Sequence, residues 1–177
     1  MTQPTAHTIL HAGDAQATDL VTLTYDERFL RRKVLTTVQG DRFLVDLEHT
    51  TSLDHGDLFL LTDGRCIEVI AAEENLLAVT GPDMPRLAWH IGNRHTPCQI
   101  EADRLLIQRD HVIMAMLSHL GATVTEVSEP FTPEGGAYGH GRTHAHEHGN
   151  TLHTHSHDHT HSNGHSHDDG HHHPHDH

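Results

Sequence analysis

Leu76-Leu77-Ala78-Val79-Thr80-Gly81-Pro82-Asp83-Met84-Pro85-Arg86-Leu87-Ala88-Trp89-His90-Ile91 changes periodicity midway, and that change decides the fold. Leu76–Thr80 has the apolar and β-branched content of a strand. Gly81-Pro82-Asp83 breaks it, after which Met84, Leu87, Ala88 and Ile91 recur at the spacing of one helical face. That helix is expected to stop near His95, because Pro97 pushes Thr96 out of the α region. Two short strands follow, Cys98–Glu101 and Leu105–Gln108. Asp110 then caps a second helix whose Ile113, Met116, Leu117 and Leu120 form one stripe, and Gly121 ends it. A last strand, Thr123–Val127, completes a β-α-β-β-α-β order, which is ferredoxin-like. Such a sheet carries its helices on one face and leaves the other for docking, but the fold by itself settles no chemistry.

Upstream, short β-rich runs separated by turn residues predict a small, mostly antiparallel β domain: Val21–Tyr25, Lys33–Val38, Phe43–Leu47, Asp57–Leu61 and Cys66–Ile70. Gln39-Gly40-Asp41 and Asp63-Gly64 supply tight turns. Downstream, Pro130-Phe131-Thr132-Pro133-Glu134-Gly135-Gly136 has a linker composition, and the segment beyond is expected to be disordered. The chain is therefore expected to be α+β, with an N-terminal β domain over 1–73, a ferredoxin-like domain over 74–130, and a linker and histidine-rich tail over 131–177.

The formal net charge is −14, of which −10 lies ahead of Tyr138. An acidic body repels phosphate backbones, which argues against nucleic-acid binding, and it attracts divalent cations weakly. No apolar run of about 18 residues and no basic, then hydrophobic, leader is found, so a cytoplasmic protein is expected, with no membrane partner and with Cys66 and Cys98 as reduced thiols.

Sixteen of the 24 histidines fall at or after His140: His140, His144, His146, His148, His153, His155, His157, His159, His161, His165, His167, His171, His172, His173, His175 and His177. They are interleaved with Asp, Ser, Thr, Gly and Asn, unlike the unbroken run of a purification tag. Neutral imidazole is a good ligand for nickel, copper and zinc, and His-X-His alternation lets neighbouring rings close around one ion. At roughly two to four imidazoles per metal, sixteen could hold on the order of four to eight ions. Ordering a flexible segment costs backbone entropy, so such a tail should bind loosely and exchange fast, which suits collection and transfer rather than catalysis.

In the body, His95 ends the first helix within Gly92-Asn93-Arg94-His95-Thr96-Pro97. Surface helix ends carry histidine simply because its charged form suits the dipole. One imidazole cannot hold a metal firmly, but a twofold axis would place His95 beside its copy, which makes a homodimer a functional proposal. His111 and His119 lie about 12 Å apart along their helix and cannot share an ion. His111 is a candidate for a peripheral site. His7, His11, His49, His55 and His90 read as surface residues, and Cys98, alternating with Ile100, reads as a core thiol. No Gly-X-Ser-X-Gly, phosphate-binding glycine loop or His-Glu-X-X-His is present, so no enzyme is expected.

Asp63-Gly64-Arg65, Glu68-Val69 with Ala71-Ala72, Glu74-Asn75-Leu76-Leu77, Gly92-Asn93-Arg94-His95-Thr96-Pro97 with Gln99-Ile100, Asp110-His111-Val112 and Pro133-Glu134-Gly135-Gly136-Ala137-Tyr138 together resemble the UreE family of urease accessory proteins. The resemblance runs from about Val21 to the tail. It implies a nickel metallochaperone with a partner-binding β domain and a ferredoxin-like domain that dimerises around a nickel ion held by His95. Its implied partners are the urease accessory GTPase and the apo-urease assembly. Arg109 stands where some relatives have a further histidine ahead of the one matched by His111.

The expected function is thus nickel carriage to apo-urease, with zinc or copper able to compete for the same ligands. General nickel or zinc buffering without a dedicated client shares the tail but needs no His95 geometry. A metal-dependent hydrolase would need three convergent ligands and a general base, which the body does not supply.

Overall fold

The computed structural model describes residues 3–136; the expected tail disorder and all sixteen tail histidines lie outside the described residues. The elements are β1 (Thr5–Leu10), β2 (Asp19–Leu23), β3 (Phe29–Thr36), β4 (Arg42–Ser52), β5 (Leu58–Leu61), β6 (Cys66–Ala71), β7 (Glu73–Thr80), α1 (Met84–Gly92), β8 (Cys98–Ile100), β9 (Leu105–Gln108), α2 (His111–His119) and β10 (Thr123–Pro130). The class is α+β, as expected.

β1 to β6 form one sheet in the order β2-β6-β5-β1-β4-β3. β1, which the sequence did not disclose, lies inside it, parallel to β4 and antiparallel to β5. β2 pairs parallel with β6, so the antiparallel character holds for the remaining contacts only. The Val38 N–H donates to the Leu20 carbonyl at 2.8 Å, bringing the end of the β3–β4 hairpin to β2 at the far end of the order. Gly40 (φ 96°) and Gly64 (φ 88°) occupy the left-handed conformation that the two predicted hairpin turns require. Inside, Val21, Phe43, Val45, Phe59, Ile67 and Val69 form a core, each almost wholly buried.

β7 to β10 form a second sheet in the order β10-β7-β9-β8, antiparallel throughout. Numbered within this unit the order is 4-1-3-2, the ferredoxin-like topology. One face, carrying Leu77, Val79, Leu105 and Ile107, packs against Leu87 and Ile91 of α1 and Ile113 and Leu117 of α2. Each such buried side chain contributes about 1.5–3 kcal/mol of transfer free energy. The helices start where expected: the Asp83 carboxylate accepts from Arg86 N–H, and the Asp110 carboxylate from Val112 and Ile113 N–H.

The opposite face corrects two expectations. Leu76, Ala78 and Leu106 there are covered by Tyr25 of the N-terminal lobe and by Phe131, so this part of the face is not open for docking. Phe131 belongs to the segment with linker composition, yet it is 0% exposed, and its ring meets Tyr25 edge-on at 5.4 Å between centroids. Buried Arg28 donates to the Phe131 carbonyl and to the Leu23 carbonyl, and Tyr25 N–H donates to Glu74 at 2.7 Å. A proline- and glycine-rich stretch with one large aromatic can thus be part of the core, because one ring inserted between two lobes buries enough surface to fix it.

Candidate metal site around His95

α1 ends in a specific hydrogen-bond pattern. Thr96 N–H donates to the Ile91 carbonyl at 3.4 Å, and His95 N–H to the Gly92 carbonyl at 2.9 Å. This nested pair closes a helix through one residue in the left-handed conformation, a place usually taken by glycine. Here it is His95, with φ 56°, the one non-glycine residue at positive φ among those described. A left-handed L-residue costs about 1–2 kcal/mol relative to its preferred conformations. The chain therefore holds an imidazole where glycine would be less strained.

His95 is exposed and lines an open groove of about 500 Å³ with Arg94, Thr96, Pro97, Gln108 and the α2 start at Asp110 and Val112. Gln108 and Asp110 were not singled out as neighbours of His95 from sequence, since β9 and α2 reach it only through the fold. His111 is exposed on the other side of that corner, in a second groove with Met114 and Glu126, where Arg109 forms an ion pair with Glu126. His95 and His111 thus line two adjoining grooves that share Arg109 and Asp110. His119 is exposed at the end of α2; His7, His11, His49 and His55 are exposed, and His90 is half-buried against Trp89. Among the described residues, no group of three or more His, Cys, Asp or Glu side chains is placed to hold an ion.

Electrostatics along the adjoining strand are structural. Both cysteines are free. Burial, with a smaller contribution from the Glu134 charge, pushes the half-buried Cys98 thiol up to about 11, so at neutral pH it is a protonated packing group rather than a thiolate ligand. Arg104 donates to both oxygens of Glu129 and to Glu101, and its hydrogen bond holds the Glu101 carboxyl below the usual range.

Comparison with known proteins matches residues 4–72 to the N-terminal domain model of the UreE urease accessory protein and residues 74–177 to its C-terminal domain model. The chain belongs to the UreE family. The urease accessory protein UreE of Ruegeria pomeroyi is 70% identical over 149 residues, covering 84% of this chain and 100% of the relative. That of Ruegeria sp. strain TM1040 is 69% identical, covering 76% of each chain, and that of Cereibacter sphaeroides is 63% identical, covering 82% of this chain and 81% of its own. UreE membership implies a role in urease maturation, an accessory rather than a catalytic one. No helix among the described residues is long and apolar enough to cross a membrane.

Proposed function

We propose that this UreE chain is a cytoplasmic nickel metallochaperone that acts as a homodimer. The tail histidines gather Ni(II), a pair of His95 side chains related by a twofold axis presents it, and contact with the urease accessory GTPase and apo-urease passes it on by ligand exchange. The observation that carries this reading is His95 itself: an exposed imidazole kept in a left-handed helix-end position at a conformational cost. The lack of a three-ligand group among the described residues supports the need for ligands from a second copy or from the tail. Zinc and copper compete for imidazole, so nickel is preferred through the urease connection and not through ligand type.

The test is nickel titration of the full chain, of a chain truncated after Tyr138 and of His95→Ala, with mass measured in parallel. Truncation lowers the number of ions bound and leaves the dimer intact, whereas His95→Ala removes one tight ion per dimer. A strictly monomeric protein in the presence of nickel, or a His95→Ala variant with the parent's tight site, refutes the reading.

A further inference from the structure

β3 is the last strand of the N-terminal sheet and pairs with β4 alone. The register fixes which of its backbone groups face outward. Hydrogen-bonded and non-hydrogen-bonded pairs alternate in an antiparallel ladder. Thr37 N–H donates to the Asp41 carbonyl at 2.8 Å at the hairpin end, so Leu35 with Phe43 and Lys33 with Val45 are the hydrogen-bonded pairs. Arg32, Val34 and Thr36 alternate with these and turn their backbone N–H and C=O groups away from β4. Among the described residues no strand pairs on that side. Past Thr36 the sheet closes on itself at one point, where Val38 N–H donates to the Leu20 carbonyl.

The side chains along this edge carry the opposite charge to the rest of the body. Arg31, Arg32 and Lys33 are consecutive and exposed, and exposed Arg42 lies across the ladder from Thr36. These are four of the chain's 11 basic residues, on a body whose net charge is −10. Elsewhere Arg65, Arg104 and Arg109 are each held by carboxylates. Here Arg32 meets Asp46 at 3.7 Å with both side chains open to solvent, a pairing worth little, and among the described residues Lys33 and Arg42 make no salt bridge. A single charge is enough to blunt an edge against self-association. Four of one sign leave a local field that attracts carboxylates. Val34, 39% exposed, adds apolar surface on the face it shares with Arg32.

We propose that the β3 edge is a docking site for an acidic, extended segment of a partner protein, which joins the sheet as a further strand. The outward backbone groups of Arg32, Val34 and Thr36 supply the hydrogen bonds, and the cationic side chains select carboxylates. Pairing with β3 of a second copy sets like charges opposite one another, so the edge rejects itself. A polyanion without a peptide backbone leaves the alternating N–H and C=O groups unmatched, and a long one also meets the acidic body. Neither His95 nor nickel enters this proposal, so it stands or falls apart from the metal-carrier reading.

The probe is an equimolar pool of blocked nonapeptides with Glu at odd positions and Val, Ile, Leu or Thr at even ones. It is titrated at low ionic strength, with chelator present, into the nitrogen-15-labelled full chain. Saturable amide shifts are expected along β3, and at saturation the Arg32, Val34 and Thr36 amides exchange about tenfold more slowly. The double variant Arg32→Gln with Lys33→Glu, both on the surface, weakens binding about tenfold, as does salt at about 0.5 M. A pool with proline at positions 4 and 6 keeps every carboxylate but cannot add as a strand, and it is expected not to bind. The proposal is overturned by any of five results: no saturable shifts, shifts centred away from β3, equal binding of the proline pool, equal binding of a pool with Lys in place of Glu, or the same shifts at equal affinity with an oligothymidylate of twelve nucleotides.

Discussion

Replacing His95 separately by glycine and by alanine tests whether the helix end stores strain on behalf of its imidazole. At φ 56° an alanine retains the Cβ clash of the left-handed region, about 1–2 kcal/mol, and a glycine does not. Glycine loses about 0.5–1 kcal/mol more in backbone entropy on folding. The difference leaves His95→Gly more stable than His95→Ala by about 0.5–1 kcal/mol. For a folded body of this size, that corresponds to roughly 2–5 °C in Tm. Urea denaturation in the presence of a chelator measures the difference without any contribution from bound metal, and nickel titration of the same two proteins shows both without the tight site. If alanine is as stable as glycine, or more so, His95 is not strained and its conformation says nothing about selection for a ligand. The expected pattern, a variant that gains stability and loses metal, is the signature of a residue kept for function.

Phe131→Ala is expected to destabilise the protein by about 3–5 kcal/mol, the usual cost of removing a fully buried aromatic ring. Chemical denaturation checks this, and a loss below about 1 kcal/mol would return the segment to the status of a linker. Cys98, with its thiol pushed up to about 11 from 9.0, is expected to alkylate at pH 8 about a hundredfold more slowly than an ordinary thiol, as followed by mass spectrometry on the native protein. Raising the pH toward 11 should abolish that protection, since the thiolate becomes populated only there. Glu101→Gln is expected to lower stability at pH 7 but not near pH 2. The Arg104 hydrogen bond depresses the folded-state pKa of Glu101, so its contribution is present above the unfolded value of 4.5 and is lost as pH falls through the folded one. Equal destabilisation at both pH values would show that the Gln99–Glu101–Arg104 contacts are packing alone.

Much of the fold was legible because it is local. The strand-to-helix switch at Gly81-Pro82-Asp83, the Asp110 cap and the turn glycines at Gly40 and Gly64 are set by residues within a few positions of one another, and each appears where that chemistry places it. His95 was legible as a helix-end residue in a distinctive motif, and the tail as a concentration of imidazole. β1 was not, because Thr5-Ala6-His7-Thr8-Ile9-Leu10 has little alternation, and its existence depends on β4 and β5 bonding to both its edges. The parallel pairing of β2 with β6 is likewise a long-range matter.

By itself, the sequence determined which segments become helix or strand and which side chains are able to grip an ion, since both follow from bond geometry and ligand chemistry over short stretches. Only the tertiary structure decided that Phe131 is core, that the rear of the ferredoxin-like sheet is partly covered, that His95 and His111 line adjoining grooves, and that Glu134 is bonded to β8. Those facts depend on residues brought together across the chain, such as Tyr25 with Phe131 or Cys98 with Glu134, and no local pattern encodes a contact whose partners are far apart in the chain.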